Sequence, residues 1–199
     1  MTYKGISKDI IRSLNNFVKR KHTPLHIPFF TDDDARNVAK CVRSSYVSSV
    51  SKQTKLFEEK IKKFTKSNYA IATINGTAAI QIALKACGVK ENDEILIPNL
   101  NYIGSSNASI YCNAIPHFVD VENEAFGIDV KKLDKYLKES TVKKNKLLIN
   151  KKTKRPIKAI MPTHVFGNTN NILEVVKLGK KYNLKIIEDA SDGLGSFYK

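Results

Sequence analysis

Apolar positions in the first third of the chain recur at helical spacing. Ile6, Ile10, Leu14 and Phe17 fall on one face and predict a small amphipathic helix over residues 5–20. Pro24 and Pro28 then predict an extended link. Thr31, followed by Asp32, Asp33 and Asp34, supplies a cap and three acids ahead of Ala35, Val38, Ala39 and Val42, so a second helix is predicted to start there. A polar loop covers 44–49, and a third predicted helix carries Phe57, Ile61 and Phe64 on one face.

The pattern changes at Tyr69. Short apolar runs at 70–74, 94–97, 116–119, 158–161 and 184–187 read as buried strands, and the stretches 77–87 and 171–182 read as helices. Strands alternating with helices predict an α/β fold, a mostly parallel sheet with helices on both faces. Residues 146–150 and 156–160, separated by Lys-Lys-Thr-Lys-Arg, predict a hairpin-like excursion before a core strand. At 199 residues the chain is long enough to bury a core and reads most simply as one domain.

Charge changes this picture in one place. Lys and Arg number 34 against 19 acids, a net charge of +15. Between 131 and 158 there are twelve Lys/Arg and two acids, Asp134 and Glu139. A basic patch attracts nucleic acid, a membrane surface or an acidic small substrate. No aromatic-interleaved nucleic-acid signature accompanies it, so the expectation is a solvated, lysine-biased surface and no nucleic-acid partner. Cys41, Cys87 and Cys112 are odd in number and far apart, matching neither a zinc spacing nor a disulfide framework. No metal and a reducing compartment are expected. The N-terminus lacks the uninterrupted apolar core of a signal peptide, and no run is long enough to span a bilayer. The expected location is cytoplasmic, with no membrane partner.

Parallel sheets bind ligands beyond the carboxyl ends of their strands. The predicted strand ends here are polar: Asn75-Gly76, Pro98-Asn99, Asp120, Pro162-Thr163-His164 and Glu188-Asp189. Gly76-Thr77 stands where a predicted strand becomes a helix, whose first amides lack partners and suit a phosphate. The same residues suit ordinary turn and capping chemistry. Asp189, at the mouth of the sheet, needs a cation or several donors. A protonated heterocyclic nitrogen is one such partner, and capping of 190–194 is the other role open to it. Tyr102 either covers a flat ring or fills the core. His164 is either a structural residue or a chemical one. Together, Gly76-Thr77 on a phosphate, Tyr102 on a ring face and Asp189 on a ring nitrogen describe a site for pyridoxal phosphate.

Six blocks carry a more specific likeness: Val47-Ser48-Ser49-Val50, Asn75-Gly76-Thr77-Ala78-Ala79, Asn92-Asp93-Glu94-Ile95-Leu96-Ile97-Pro98, Phe118-Val119-Asp120-Val121, His164-Val165-Phe166-Gly167 and Glu188-Asp189-Ala190. In this order they resemble the DegT-type sugar-nucleotide aminotransferases, a fold-type-I pyridoxal-phosphate family, from about His26 onward. The stretch from Ser109 to Asp120, Phe126-Gly127-Ile128-Asp129 and the 146–160 insertion are similar to the legionaminic-acid (LegC) branch, which aminates a UDP-4-keto-6-deoxy-N-acetylhexosamine.

The resemblance implies roles. Gly76, Thr77 and Ala78 would hold the cofactor phosphate, Tyr102 would stack on the pyridine, and Asp189 would be the catalytic acid on the ring nitrogen. Asp192 would stand near the cofactor hydroxyl, where the branch usually has Glu, and His164 would face the substrate. Glutamate would be the amino donor, a nucleotide sugar the acceptor and a homodimer the working form. Residues 1–30 would be a helix and link, and 31–199 an incomplete cofactor-binding large domain. The family's Schiff-base lysine lies further on, in a Ser-Phe-x-x-x-Lys-like stretch. Nothing around Lys199 matches that stretch. The expectation is therefore that the 199-residue chain lacks this lysine and the small C-terminal domain, and is inactive alone. A lysine-less sugar dehydratase on the same scaffold and a non-catalytic remnant are the rival expectations.

Overall fold

The computed structural model describes residues 3–18, 24 and 27–198. Lys199 and most of the predicted link around Pro24 lie outside the described residues. The chain divides into two units, Met1–Ala70 and Ile71–Lys199.

The first unit is helical. Its helices are α1 (Tyr3–Phe17), α2 (Asp32–Arg43) and α3 (Lys52–Thr65). The predicted cap of α2 is a full capping box: the Asp34 amide donates to Thr31 Oγ1 at 3.3 Å, and the Thr31 amide to Asp34 Oδ2 at 2.8 Å. Ser51 caps α3 through a 3.2 Å bond from the Thr54 amide. Neither α2 nor α3 contains a buried residue.

The second unit holds the core. Its elements are α4 (Gly76–Ala86), β1 (Glu94–Pro98), α5 (Ile103–Tyr111), β2 (Ile115–Val119), α6 (Val130–Ser140), β3 (Thr141–Lys144), β4 (Leu147–Asn150), β5 (Pro156–Ile160), α7 (Ile172–Tyr182) and β6 (Lys185–Ile186). Strands β2, β1, β5 and β6 run parallel. Along its outer edge β5 pairs first with antiparallel β4, at Pro156 and Ile157, and then with β6, at Ala159 and Ile160. Strand β3 completes the hairpin with β4.

Alternation along β1 sends its side chains to two cores. Leu96 joins Val119, Leu133, Leu137, Ile160, Val175 and Leu178 beneath α6 and α7. Ile95 and Ile97 join Ile80, Leu84, Ala108, Met161 and Ile187 beneath α4 and α5. Helices thus cover both faces, as the pattern predicts. A register shift between Glu94 and Ile95 against β5 leaves Ile157 and Ile160 on the same core.

Two readings of the pattern need correction or completion. Residues 70–74 form no strand: Ile71 and Ile74 are 77% and 91% exposed, and no described residue pairs with them in a ladder. An apolar run becomes a strand only where a neighbouring edge accepts its hydrogen bonds. Helix α5 carries no helical stripe of large apolar residues for the pattern to register. It buries Gly104, Ser105, Ser106, Ala108 and Ser109, small side chains that let it pack close.

Ten of the twelve cations between 131 and 158 are exposed, and Arg155 and Lys158 are partly covered. Lys132 pairs with Asp120, and Lys138 with Asp134. No helix among the described residues is long and apolar enough to cross a membrane. No group of three His, Cys, Asp or Glu side chains among them is placed to hold a metal ion.

Candidate functional site

The site is built where α4, α5 and the segment after β6 meet at the carboxyl ends of the parallel strands. Helix α4 begins at Gly76, with Asn75 as its cap. Asn75 Oδ1 accepts from the Ala78 amide at 2.8 Å, and the Asn75 carbonyl accepts from the Ala79 amide at 3.1 Å. The amides of Gly76 and Thr77 have no acceptor among the described residues. Capping chemistry and two unspent helix amides therefore coexist in one turn: Ala78 serves the cap, while Gly76 and Thr77 keep their donors.

Gly104, in the first turn of α5, brings the aromatic to the same place. A Cβ there would lie 2.8 Å from Thr77 Oγ1 and 3.1 Å from Tyr102 Cδ1. Only a residue without a side chain permits that approach. Tyr102 itself is 77% exposed, so it fills no core within this unit.

Asp189 is 6% exposed. Its backbone extends the sheet beside Thr163: the Asp189 amide donates to the Pro162 carbonyl at 2.9 Å, and the His164 amide to the Asp189 carbonyl at 3.0 Å. Ile187, two residues earlier, belongs to the core beneath α4 and α5, which puts the Asp189 side chain on that same face. Its carboxylate meets hydroxyls, not cations. Ser105 Oγ donates to Oδ2 at 2.6 Å, and Ser191 donates to Oδ1 through Oγ at 2.6 Å and its amide at 3.2 Å. Ser191 Oγ also lies 3.4 Å from where a Cβ on Gly76 would sit. Gly76, Thr77, Tyr102 and Asp189, predicted from three separate stretches, are thus linked through Gly104, Ser105 and Ser191. The sequence reading missed these three, because their signal is contact across as many as 84 residues.

His164 and Asp192 are differently placed. His164 is buried, Nδ1 accepts from the Asn170 amide at 3.1 Å, and Nε2 lies 3.1 Å from Glu188 Oε2. That pattern puts the ring proton on Nε2 and commits both nitrogens to the chain itself. Asp192 is exposed, and its carbonyl lies 3.1 Å from where a Cβ on Gly167 would stand. Thr163 Oγ1 is the buried side-chain oxygen that finds no partner among the described residues. A wide groove of about 1070 Å³ lies elsewhere, lined by Glu122, Asp129, Lys132, Glu174, Lys177 and Tyr198, and includes none of the predicted site residues.

The chain matches the DegT/DnrJ/EryC1/StrS aminotransferase family over residues 29–199. It is 34% identical over 179 residues to a GDP-perosamine synthase of Escherichia coli O157:H7, covering 90% of this chain and 45% of that protein. Among solved structures, an aminotransferase from Psychrobacter cryohalolentis superposes with a TM-score of 0.71 at 26% identity, over 88% of this chain and 41% of the other. An E. coli GDP-4-keto-6-deoxy-D-mannose-3-dehydratase with bound hydrated PLP shares the fold at 21% identity, TM-score 0.71, over 89% and 43% of the two chains. The chain spans less than half the length of each of these proteins.

Proposed function

The chain belongs to the DegT/DnrJ/EryC1/StrS aminotransferase family, and on that premise we propose that its protein uses pyridoxal phosphate to pass an amino group from glutamate to the C4 ketone of a nucleotide-linked 6-deoxy sugar. One observation carries this reading: Gly76-Thr77, Tyr102 and Asp189 converge through Gly104 and Ser105. The residues fit the cofactor on physical grounds. Gly104 keeps a side chain out of a cradle that a Cβ would crowd, two free helix amides suit a phosphate, and a buried carboxylate held by neutral donors suits a cation.

In this proposal Gly76 and Thr77 hold the phosphate, while Ala78 sits in the same turn with its amide spent on the cap. Tyr102 covers the ring and limits access of water. Asp189 holds a proton on the ring nitrogen, and Asp192 lies at the pocket edge. When bound, the cofactor supplies the electron sink that amino transfer needs. His164, buried beside Asp189, would line the wall on the substrate side. Residues 31–199 would form part of the cofactor-binding domain, with 1–30 as a helix and link ahead of it.

For the sugar we propose a UDP-4-keto-6-deoxy-N-acetylhexosamine of the legionaminic-acid type, supported by the stretch from Ser109 to Asp120, by Phe126-Gly127-Ile128-Asp129 and by the 146–160 insertion. The relative named GDP-perosamine synthase favours a second reading, in which the nucleotide is GDP. The working form proposed is a cytoplasmic homodimer. Exposed Ile71, Ile74, Ile103 and Phe166 support it as apolar surface in need of cover. The test offers glutamate with the UDP-linked and GDP-linked 4-keto sugars in turn and follows the amino sugar by mass spectrometry. Turnover of the UDP sugar is expected, and turnover of the GDP sugar alone would select the second reading. Amination of neither, with loss of a sugar hydroxyl instead, would move the protein to the dehydratases.

A further inference from the structure

We infer that Ser105 is a positioning residue, whose hydroxyl holds the Asp189 carboxylate in the orientation that a cationic ring nitrogen meets. This rests on the reading of the pocket as a pyridoxal phosphate site and adds a residue to it. Ser105 is 1% exposed and Asp189 6%, and their 2.6 Å bond joins the first turn of α5 to the segment after β6. That distance is short, as expected for a hydroxyl donating to an ionised carboxylate. The other oxygen of Asp189 is held by Ser191, two residues along, a local turn contact open to any Asp in that place.

The two grips do different work. A carboxylate turns easily about its last torsion, so a single local contact on one oxygen leaves its plane free. A second contact on the other oxygen, from a different element, fixes the plane. Three donors occupy three of about four acceptor sites on the carboxylate, leaving room for one more. Among the described residues no Lys, Arg or His forms an ion pair with Asp189. The negative charge is therefore buried, oriented and left for a partner from outside the chain.

Placement on α5 adds a second consequence. Gly104, the preceding residue, is where Thr77 and Tyr102 crowd in. One helical turn thus touches the phosphate-side threonine, the ring-side tyrosine and the nitrogen-side acid. Ser105 ties the last of these to the other two, so the separation of phosphate seat and acid is set by α5 and not by a loop.

The test uses the full-length protein and pyridoxamine phosphate labelled with ¹⁵N in the ring, which binds without a covalent link. Dissociation constants and the ring-nitrogen shift are measured at neutral pH for wild type, S105A, S105T, S105C and D189N, with melting of each cofactor-free protein. S105A is expected to bind about tenfold more weakly, the scale of one hydrogen bond to a charged group. Its ring-nitrogen signal should move toward the unprotonated position while cofactor-free melting stays near wild type. S105T should restore both properties, S105C should fall between, and S105A should add nothing in the D189N background. S105A and S105C both indistinguishable from wild type, with D189N altered, would overturn the role of Ser105 and leave the cofactor reading standing. Weaker binding with an unchanged ring signal and lowered cofactor-free melting would reduce Ser105 to a packing residue and also overturn it. A wild-type protein that does not bind pyridoxamine phosphate, or a D189N ring signal equal to wild type, would defeat the cofactor reading itself.

Discussion

Two carboxylates are buried in the same sheet at opposite ends, and their surroundings differ in kind. Glu94, at the amino end of β1, is 2% exposed. It accepts from Thr153 Oγ1 at 2.5 Å and Asn150 Nδ2 at 2.9 Å, and His117 Nδ1 lies 2.7 Å away. Those partners come from β2, from β4 and from the turn after β4, so the charge is enclosed by the protein and pins the 141–155 hairpin to the sheet. Asp189, at the carboxyl end, has neutral serine donors alone and faces the side where Tyr102 stands exposed. A buried charge with an ionisable partner and donors from several strands is architecture. A buried carboxylate held only by neutral donors, at the carboxyl end of a parallel sheet where such sheets bind ligands, suits a cationic partner.

The sharpest way to break this comparison is to exchange what each loss costs. Glu94→Ala strands the His117, Asn150 and Thr153 donors in the interior. It should destabilise the fold by about 3 kcal/mol, the scale of removing one member of a buried charged network. Urea denaturation measures this, and a loss below about 1 kcal/mol would show that the hairpin does not depend on the carboxylate. Asp189→Asn should behave in the opposite sense. Serine hydroxyls donate to or accept from an amide equally well, so stability should change by less than about 1 kcal/mol. Amination in the intact enzyme should fall about 100-fold or more, roughly 2.7 kcal/mol of barrier. A variant that unfolds while its folded fraction keeps full activity would make Asp189 a second Glu94.

The two ends were unequally legible in the sequence. Asp189 and Gly76 were legible as residues just past an apolar run, although the run before Gly76 forms no strand, and Tyr102 as an aromatic in the segment that follows β1. The core strands were legible as short apolar runs at 94–97, 116–119 and 158–161, which overlap the observed Glu94–Pro98, Ile115–Val119 and Pro156–Ile160. Glu94 read only as the first residue of such a run, and Asn150 and Thr153 only as parts of a basic excursion. Nothing local says that these residues meet, since their sequence separations from Glu94 are 56 and 59. Ser105 was hidden likewise, inside a helix of small polar residues that leaves no apolar stripe. The run at 70–74 failed in the opposite way, because its apolar pattern is plain but a strand also needs an edge to pair with.

The comparison sharpens at Gly104, where the ligand end should tolerate crowding poorly even though folding tolerates it. In Gly104→Ala the new methyl would stand 2.8 Å from Thr77 Oγ1, and rotation of that hydroxyl relieves the clash. Alanine also favours a helix over glycine by about 1 kcal/mol, which offsets the strain. Thermal stability should therefore stay near wild type, while cofactor affinity falls about tenfold, near 1.4 kcal/mol, because the displaced hydroxyl no longer serves the phosphate. Equilibrium titration with pyridoxamine phosphate reads the loss. Unchanged affinity would remove Thr77 from the seat.

The smallest expected effect is the pH dependence of the enclosed end. Burial alone would push the Glu94 carboxyl up, but hydrogen bonds from Thr153, Asn150 and His117 together outweigh it and hold the group below its ordinary 4.5. A carboxyl lowered by folding binds fewer protons in the folded chain than in the unfolded one. Its contribution to stability is thus complete above the unfolded value and drains away as pH falls through the lowered folded value. Glu94→Gln keeps an acceptor oxygen but cannot ionise, so it isolates the charge from the shape. The stability gap between wild type and Glu94→Gln should be widest near neutral pH and narrow as the solution is taken down through the carboxylate range toward about pH 3. Tyr136, edge-on to His117 at 5.5 Å, stays neutral throughout this window, its phenol raised above its ordinary value by burial. Urea denaturation of both proteins across the range gives the gap directly. A gap that persists unchanged to pH 3 would mean that the geometry of the acceptor, and not its charge, fastens the hairpin to the sheet.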